Sequence, residues 1–379
     1  MTIAPIPPRR VWLEIDLAVL TANYRRIAAA VAPAEVMAVL KANAYGLGAR
    51  PIAAALVRAG VARFGVAEPY EALALADLGR PVQILGSVLP GELPALVGAG
   101  IVLPATDLPT ARAIDAEGRR QRRRAAVHFK VDTGMGRLGI PAAEAAATIR
   151  EAARLPNILA EGIYSHFPVA YRAGEEYTQR QMDVFLALLD ALAAEGLSFP
   201  LRHMANSDAI NNFPRATRPP FNLVRTGINL HGSFDTEGRR ALQLEPVLAL
   251  KTRLTAVRRL PAGAGIGYGL TCRLARDTTV GTISAGYADG LPLALSNRGY
   301  VLVRNVPCPV LGRLSMDYTT IALDQAPDAV VGDEATCLGG TGTLAVSVED
   351  WAHLKGTHPY EIICSFGSRV ERRHLNAPA

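Results

Sequence analysis

Cysteine is scarce in this chain, and long apolar runs are missing. The four cysteines, Cys272, Cys308, Cys337 and Cys364, are scattered, with no Cys-x-x-Cys pair among them. That spacing excludes a disulfide framework and a thiolate zinc site; it points to a reducing compartment, with no metal expected. The longest apolar stretch, Ala28–Leu40, is broken by Pro33 and Glu35 and is too short to span a bilayer. Met1–Arg10 holds three prolines and no apolar core, so no secretory signal and no membrane association are expected. The cytoplasm is the expected location. Acid is in modest deficit, 34 Asp and Glu against 40 Lys and Arg, for a formal net charge of +6. Much of the excess sits in Arg119-Arg120-Gln121-Arg122-Arg123-Arg124, expected as a solvated loop after Gly118. No aromatic residue interleaves it and no reading module surrounds it, so nucleic acid is not an expected partner.

What is present is an ordinary globular balance, half hydrophobic and one fifth charged, over 379 residues, which suits two domains. Strands are predicted at Val36–Ala42, Phe64–Glu68, Val82–Ser87, Ile101–Thr106, Ala126–Asp132, Leu159–Phe167, Leu201–Ser207 and Asn222–His231. Helical patterns at Ala49–Ala59, Pro69–Leu78, Ala142–Leu155 and Glu175–Glu195 separate them, and Leu17–Val31 precedes them behind Asp16 as N-cap. Strands alternating with helices imply parallel pairing, and eight such units fit a (β/α)8 barrel, a TIM-type α/β fold, over 12–241. Beyond Leu242 long helical patterns vanish. The β-branched runs Ala249–Arg258, Thr278–Ser284, Tyr300–Arg304 and Val310–Arg313 predict a second, mainly β domain over 242–379, with residues 1–11 associated.

In such a barrel the chemistry gathers at the C-terminal ends of the strands. Lys41 closes the first predicted strand, Arg137 follows the fifth, His166 closes the sixth, His203 and Ser207 lie on the seventh and Arg225 on the eighth. A lysine ending a buried strand must be paired, deprotonated or covalently used. His166 and His203 read equally as site residues or as hydrogen-bonded core histidines. Arg225 keeps its charge and needs a partner. A phosphate site is expected in the loops after strands seven and eight, where Ser207 offers a hydroxyl and Gly227 and Ile228 offer backbone N–H groups. Gly134-Met135-Gly136-Arg137-Leu138-Gly139 matches G-x-G-x-x-G, but a dinucleotide fingerprint opens its domain and leads to an acid on the next strand. Here four β/α units come first and the next strand ends in His166.

Together the motifs resemble those of the alanine racemases, fold-type III pyridoxal phosphate (PLP) enzymes, along nearly the whole chain. They are Val39-Leu40-Lys41-Ala42-Asn43-Ala44-Tyr45-Gly46-Leu47-Gly48, Lys130–Gly139, Ser165-His166-Phe167, Asn206-Ser207, Val224-Arg225-Thr226-Gly227-Ile228, Gly267-Tyr268-Gly269, Gly286-Tyr287-Ala288-Asp289-Gly290 and Arg313-Leu314-Ser315-Met316-Asp317. The resemblance implies a homodimer with shared active sites that interconverts L- and D-alanine for peptidoglycan. Lys41 would carry PLP and act as base on one face of the substrate. Tyr268 of the partner subunit would serve the other face, with His166 as its hydrogen-bond partner. Arg225, backed by His203, would face the pyridine nitrogen. Tyr45, Ser207, Gly227, Ile228 and Tyr360 would hold the phosphate, and Arg137 and Met316 the substrate carboxylate. Lys130 matches a lysine that is carbamylated in many members. A PLP decarboxylase would carry a carboxylate where this chain has Arg225, and a PLP-carrier protein would lack the β domain. A racemase of broader substrate range is the alternative of the same family.

Overall fold

The structure is a computed structural model that describes residues 8–340 and 342–377. Its contacts separate two units, one formed by Leu20–Leu244 and the other by the N-terminal stretch through Val19 together with Glu245–Ala377. Among the described residues no helix is long and apolar enough to cross a membrane.

The chain opens with β1 (Trp12–Asp16) and α1 (Leu17–Val31). The Asp16 carboxylate accepts the N–H groups of Ala18 and Val19, as expected of an N-cap. The larger unit carries β2 (Glu35–Val39), β3 (Arg63–Val66), β4 (Val82–Ile84), β5 (Leu103–Ala105), β6 (Ala125–Asp132) with a short flanking β7 (Ile140–Pro141), β8 (Ile158–Tyr164), β9 (Leu201–His203) and β10 (Leu223–Thr226). All named pairings are parallel, in the orders β10-β2-β3-β4 and β5-β6-β8-β9. Two seams join these sheets into a ring. Val102 N donates to Val82 O at 2.9 Å beside β4, and Arg225 N donates to Ala205 O at 3.0 Å beside β9. The expected eight-stranded barrel is therefore closed.

Between the strands run α2 (Lys41–Gly46), α3 (Ala49–Arg58), α4 (Pro69–Leu73), α5 (Leu93–Gly98), α6 (Leu108–Arg120), α7 (Ala142–Ala152), α8 (Glu176–Ala194) and α9 (Ser207–Asn212). The expected helix Pro69–Leu78 stops at Leu73 and resumes as a 3-10 turn at Ala76–Leu78. The expected strands mostly overrun at their C-terminal ends, because the chain leaves extended geometry as it reaches the barrel mouth. Ser207 opens α9 instead of ending a strand, and Ile228–His231 is a 3-10 turn. The arginine run is exposed, as expected, and 121–124 is a turn, but the run is not all loop. Arg119 and Arg120 end α6, Arg120 pairs with Glu117, Arg123 donates to Val97 O at 2.8 Å, and Arg124 donates to Ile158 O. Carbonyls exposed at the ends of neighbouring elements attract these cations.

The other unit is built on β11 (Leu248–Leu260), with β12 (Gly265–Ile266), β13 (Cys272–Arg273), β14 (Thr278–Ile283), β15 (Tyr300–Val303), β16 (Val306–Leu311), β17 (Thr319–Ala322), β18 (Glu334–Leu338) and β19 (Glu371–Leu375). The sheet order is β14-β17-β16-β15-β18-β11-β1-β19. Thus β1, read from sequence as the start of the barrel domain, lies in this sheet, with Trp12 opposite Lys251 on one side and Glu371 on the other. Arg9 also bonds to this unit, donating to Ser368 O in the turn before β19, while residues 1–7 of the expected 1–11 association lie outside the described residues. Short helices do occur here. In α10 (Val348–Lys355) a capping box between Ser347 and Asp350 starts a helix that buries Trp351, and α11 (Pro359–Cys364) follows. Both are too short to show a period in sequence.

Candidate active site

Lys41 does not end a strand. β2 stops at Val39, and Lys41 is the first residue of α2, where Ala42, Asn43, Ala44 and Tyr45 all have φ between 52° and 61°. This is a left-handed helical turn of non-glycine residues, each costing roughly 1–2 kcal/mol. Bonds around the turn hold it: Ala44 N to Leu40 O at 2.7 Å, Asn43 N to Glu71 Oε1 at 3.2 Å, and Ala49 N to Asn43 Oδ1 at 2.8 Å. The turn buries Tyr45 and leaves Lys41 exposed, so the sequence argument from a buried lysine does not hold.

Tyr45 points at the second half of a cradle. A Cβ at Gly227 would lie 1.9 Å from Tyr45 Oη. Gly227 N donates to Ser207 Oγ at 3.1 Å, and Ile228, fully buried, begins the 3-10 turn that follows. Ser207 is set by α9, whose N-cap Asn206 accepts the N–H of Ala209 at 2.9 Å. Three segments thus bring a phenol, a hydroxyl and a side-chain-free backbone position together, and only glycine lets the Tyr45 hydroxyl approach the backbone so closely.

Arg225 is buried and makes five hydrogen bonds, to His203 Nδ1 (2.6 Å), His203 O, Ser165 O, Met204 O and His166 Nδ1 (3.2 Å). None of them reaches a carboxylate. Burial pulls its pKa down to about 10, so it remains charged at neutral pH. His166 is held well below its ordinary pKa by burial first, then by the charges of Arg225, Lys130, Arg137 and Lys41. It is neutral, and accepting at Nδ1 leaves its proton on Nε2. Lys130 is buried, donates to Leu85 O at 3.0 Å and lies over the Tyr164 ring. Burial, then Arg225 and Arg137, against Asp132, and last Lys41, bring its pKa down to about 7. Lys130, Arg137, Ser165 and His166 line one cleft. The barrel mouth therefore gathers four basic side chains around a neutral imidazole, an environment for an anionic ligand.

The glycine-rich segment beside it is no dinucleotide site. Asp132 turns its own carboxylate onto the N–H groups of Gly134, Met135 and Gly136, filling the nest that a phosphate would need. Tyr268, Met316 and Tyr360 lie on the other unit. Tyr268 is 70% exposed, in a turn with Gly267 and Gly269 at positive φ; Met316 is also exposed, and Tyr360 sits on α11 with its ring edge toward His358. Sequence reasoning missed His128, which bonds to His203, and Glu161, which bonds to His128, within the barrel. Their signal was a charged or polar residue at the centre of an otherwise apolar strand.

Comparison with known proteins covers both units. The alanine racemase N-terminal domain matches residues 15–234 and the C-terminal domain matches 247–374. An alanine racemase of Halothermothrix orenii is 37% identical over 97% of each chain, and one of Symbiobacterium thermophilum is 39% identical over 96% of this chain and 97% of its own. A crystal structure of alanine racemase from D-cycloserine-producing Streptomyces lavendulae aligns with a TM-score of 0.90 at 34% identity, covering 98% of both chains. Alanine racemase from Bartonella henselae, with covalently bound pyridoxal phosphate, aligns at 0.86 and 30% identity over 97% of this chain and all of its own. A closed barrel with a basic mouth, a β-rich second unit and this breadth of identity lead to one assignment: the chain belongs to the alanine racemase family of isomerases.

Proposed function

We propose that the chain interconverts L- and D-alanine by a two-base mechanism with PLP on Lys41, as a homodimer whose two active sites each draw on both subunits. The observation that carries this reading is Arg225 itself, a buried cation at the barrel mouth with no carboxylate among its hydrogen-bond partners. The residues suit the cofactor: the Tyr45 and Ser207 hydroxyls meet at the side-chain-free Gly227, next to Ile228, and would hold the phosphate; Tyr360 is assigned the same role. When bound, PLP supplies an electron sink that acidifies the substrate α-proton.

Arg225 would hold the pyridine nitrogen of the cofactor and, keeping its own protons, would leave that nitrogen unprotonated, which limits side reactions. Lys41 Nζ takes or returns the α-proton on one face. Tyr268 of the partner subunit does so on the other, since inversion needs removal and delivery from opposite sides. A phenol normally ionises near pH ~10. The Nε2–H of His166 is available to bond the phenolate and lower that value. Arg137 and the Met316 N–H of the partner subunit hold the substrate carboxylate. Lys130, neutral at little cost with a pKa of about 7, is a nucleophile for carbon dioxide; as a carbamate it becomes an anion able to orient Arg137.

The shared site is supported by the exposure of Tyr268, Tyr287, Met316 and Tyr318 on neighbouring segments, an apolar surface suited to a subunit contact. The four free cysteines suit a reducing compartment, and we place the enzyme in the cytoplasm, supplying D-alanine for peptidoglycan. Subunit mixing tests the reading. A Lys41→Ala chain and a Tyr268→Phe chain, each inactive, should recover up to about half activity per heterodimer, one intact site of two. Demonstrated heterodimers without recovery would place both bases on one chain.

A further inference from the structure

Behind Arg225 the barrel interior holds an unbroken line of bonded polar side chains. Arg225 NH1 meets His203 Nδ1 at 2.6 Å, His203 Nε2 meets His128 Nδ1 at 2.9 Å, and His128 Nε2 meets Glu161 Oε2 at 3.1 Å. The line runs through β10, β9, β6 and β8. Its ends fix its direction, because a guanidinium only donates and a carboxylate only accepts. With both rings neutral, each carries its proton on Nε2, and reversing either ring breaks bonds on both sides. Both histidines are fully buried, and burial is the first cause that lowers each pKa. Glu161 is held below the usual carboxylate range, first by its hydrogen bond from His128, and Arg63 NH2 lies 3.5 Å from its other oxygen.

The backbone is shaped around this line. A Cβ at Gly162 would lie 2.6 Å from the His128 ring, and the β6–β8 pairing shifts register between Val127 and His128. The Tyr164 ring stacks on His203 at 4.9 Å with 2° between planes, which fixes the imidazole orientation. A buried guanidinium requires an anion to offset its desolvation. Arg225 touches none directly, and two imidazoles connect it to one.

We propose that His128 and Glu161 are positioning residues for Arg225. Their bonds carry the negative charge of Glu161 toward the guanidinium and lock both histidine tautomers, so that Arg225 is held as a fixed cation toward the cofactor. The inference rests on reading the barrel mouth as a PLP site. No proton travels along the line, which acts by polarising its bonds.

The test uses the full-length protein with 15N-labelled histidine, with and without PLP, together with Glu161→Gln and Glu161→Leu. Glu161 is partly exposed, so both variants should fold. In the wild type, two-bond 1H–15N correlations should report Nε2–H for His128 and His203. Glu161→Gln keeps an acceptor but removes the charge. It should preserve both tautomers, lower kcat about tenfold, leave the KM for alanine within twofold and shift the absorption of bound PLP. Glu161→Leu removes the acceptor and should give His128 a mixture of tautomers. An Nδ1–H signal for either ring in the wild type would overturn the proposal. So would Glu161→Gln with unchanged kcat and absorption, including the case where only thermal stability falls, the mark of a merely structural carboxylate. A chain that binds no PLP would defeat the reading of the mouth instead, and the histidine signals, which need no cofactor, would still decide the line.

Discussion

Replacing Gly227 with alanine isolates the phosphate cradle with a single methyl group. The backbone there has a negative φ of −128°, outside the left-handed region that favours glycine, so the close approach of Tyr45 is the main obstacle to a side chain. The new Cβ would lie 1.9 Å from Tyr45 Oη and 2.8 Å from its Cζ. Carbon and oxygen in contact sit about 3.3 Å apart, so the hydroxyl must retreat by about 1.4 Å. Tyr45 cannot retreat into solvent: it is 4% exposed, and its ring packs edge-on against His231 at 5.4 Å. A retreat of that size removes one hydrogen bond to a charged phosphate, about 1.5–3 kcal/mol. PLP affinity should therefore fall roughly 10- to 150-fold. Titration of the apoprotein with PLP, followed by absorbance, measures this, with circular dichroism as the check on folding. Tyr45→Phe supplies the control, because it removes both the hydroxyl and most of the clash. In the Tyr45→Phe background, Gly227→Ala should have a distinctly smaller effect, so the two changes couple. Affinity within threefold of wild type for Gly227→Ala, or strict additivity in the cycle, would refute the proposed cradle.

Three further outcomes are expected. The chain has only four lysines, and Lys251 and Lys355 are bonded to glutamates. Borohydride reduction of the PLP-loaded protein should therefore label the Lys41 peptide, and a label on Lys130, Lys251 or Lys355 would contradict the assignment. Lys130 has a pKa of about 7, so its neutral amine fraction rises from about a tenth at pH 6 to nearly all at pH 8.5. A carbamate signal from 13C-bicarbonate should grow over that range and vanish in Lys130→Arg; a pH-independent signal would argue against it. Asp208 is pushed up to about 7 by burial and then by Asp235. Its folded-state pKa is raised, so its contribution to stability is full below about pH 4 and is lost as pH rises through 7. Asp208→Asn should thus raise Tm more at pH 8 than at pH 5, and an equal gain at both would show that this carboxyl is not perturbed.

Local periodicity carried what depends on neighbours in sequence. The pattern Glu175–Glu195 corresponds to α8 within one residue at each end, because a long amphipathic helix is specified by its own spacing. Asp16 could be read as a cap from its place before an apolar run. The motif around Lys41 was equally visible, but its conformation was not. An apolar run ending in lysine looks like a strand, and the bonds that hold the left-handed turn exposing the side chain, the one to Glu71 among them, form only in the folded chain. The carbonyl contacts of the arginine run were hidden for a related reason, since Val97 and Ile158 lie 26 and 34 residues away from the arginines that meet them.

The sequence by itself determined the alternation of strands and helices, the change of texture near Leu242 and the residue types at the barrel mouth. These follow from hydrophobic spacing and side-chain chemistry, which are properties of short segments. The tertiary structure alone decided that β1 joins the sheet of β11 and β19, because strand pairing is non-local and β1 finds its partners more than two hundred residues away. It alone decided that Arg225 would lack a carboxylate neighbour and that His203, His128 and Glu161 would stand behind it. Those contacts arise only when the closing barrel forces β6, β8, β9 and β10 to share one interior, where burial favours polar groups that bond to each other.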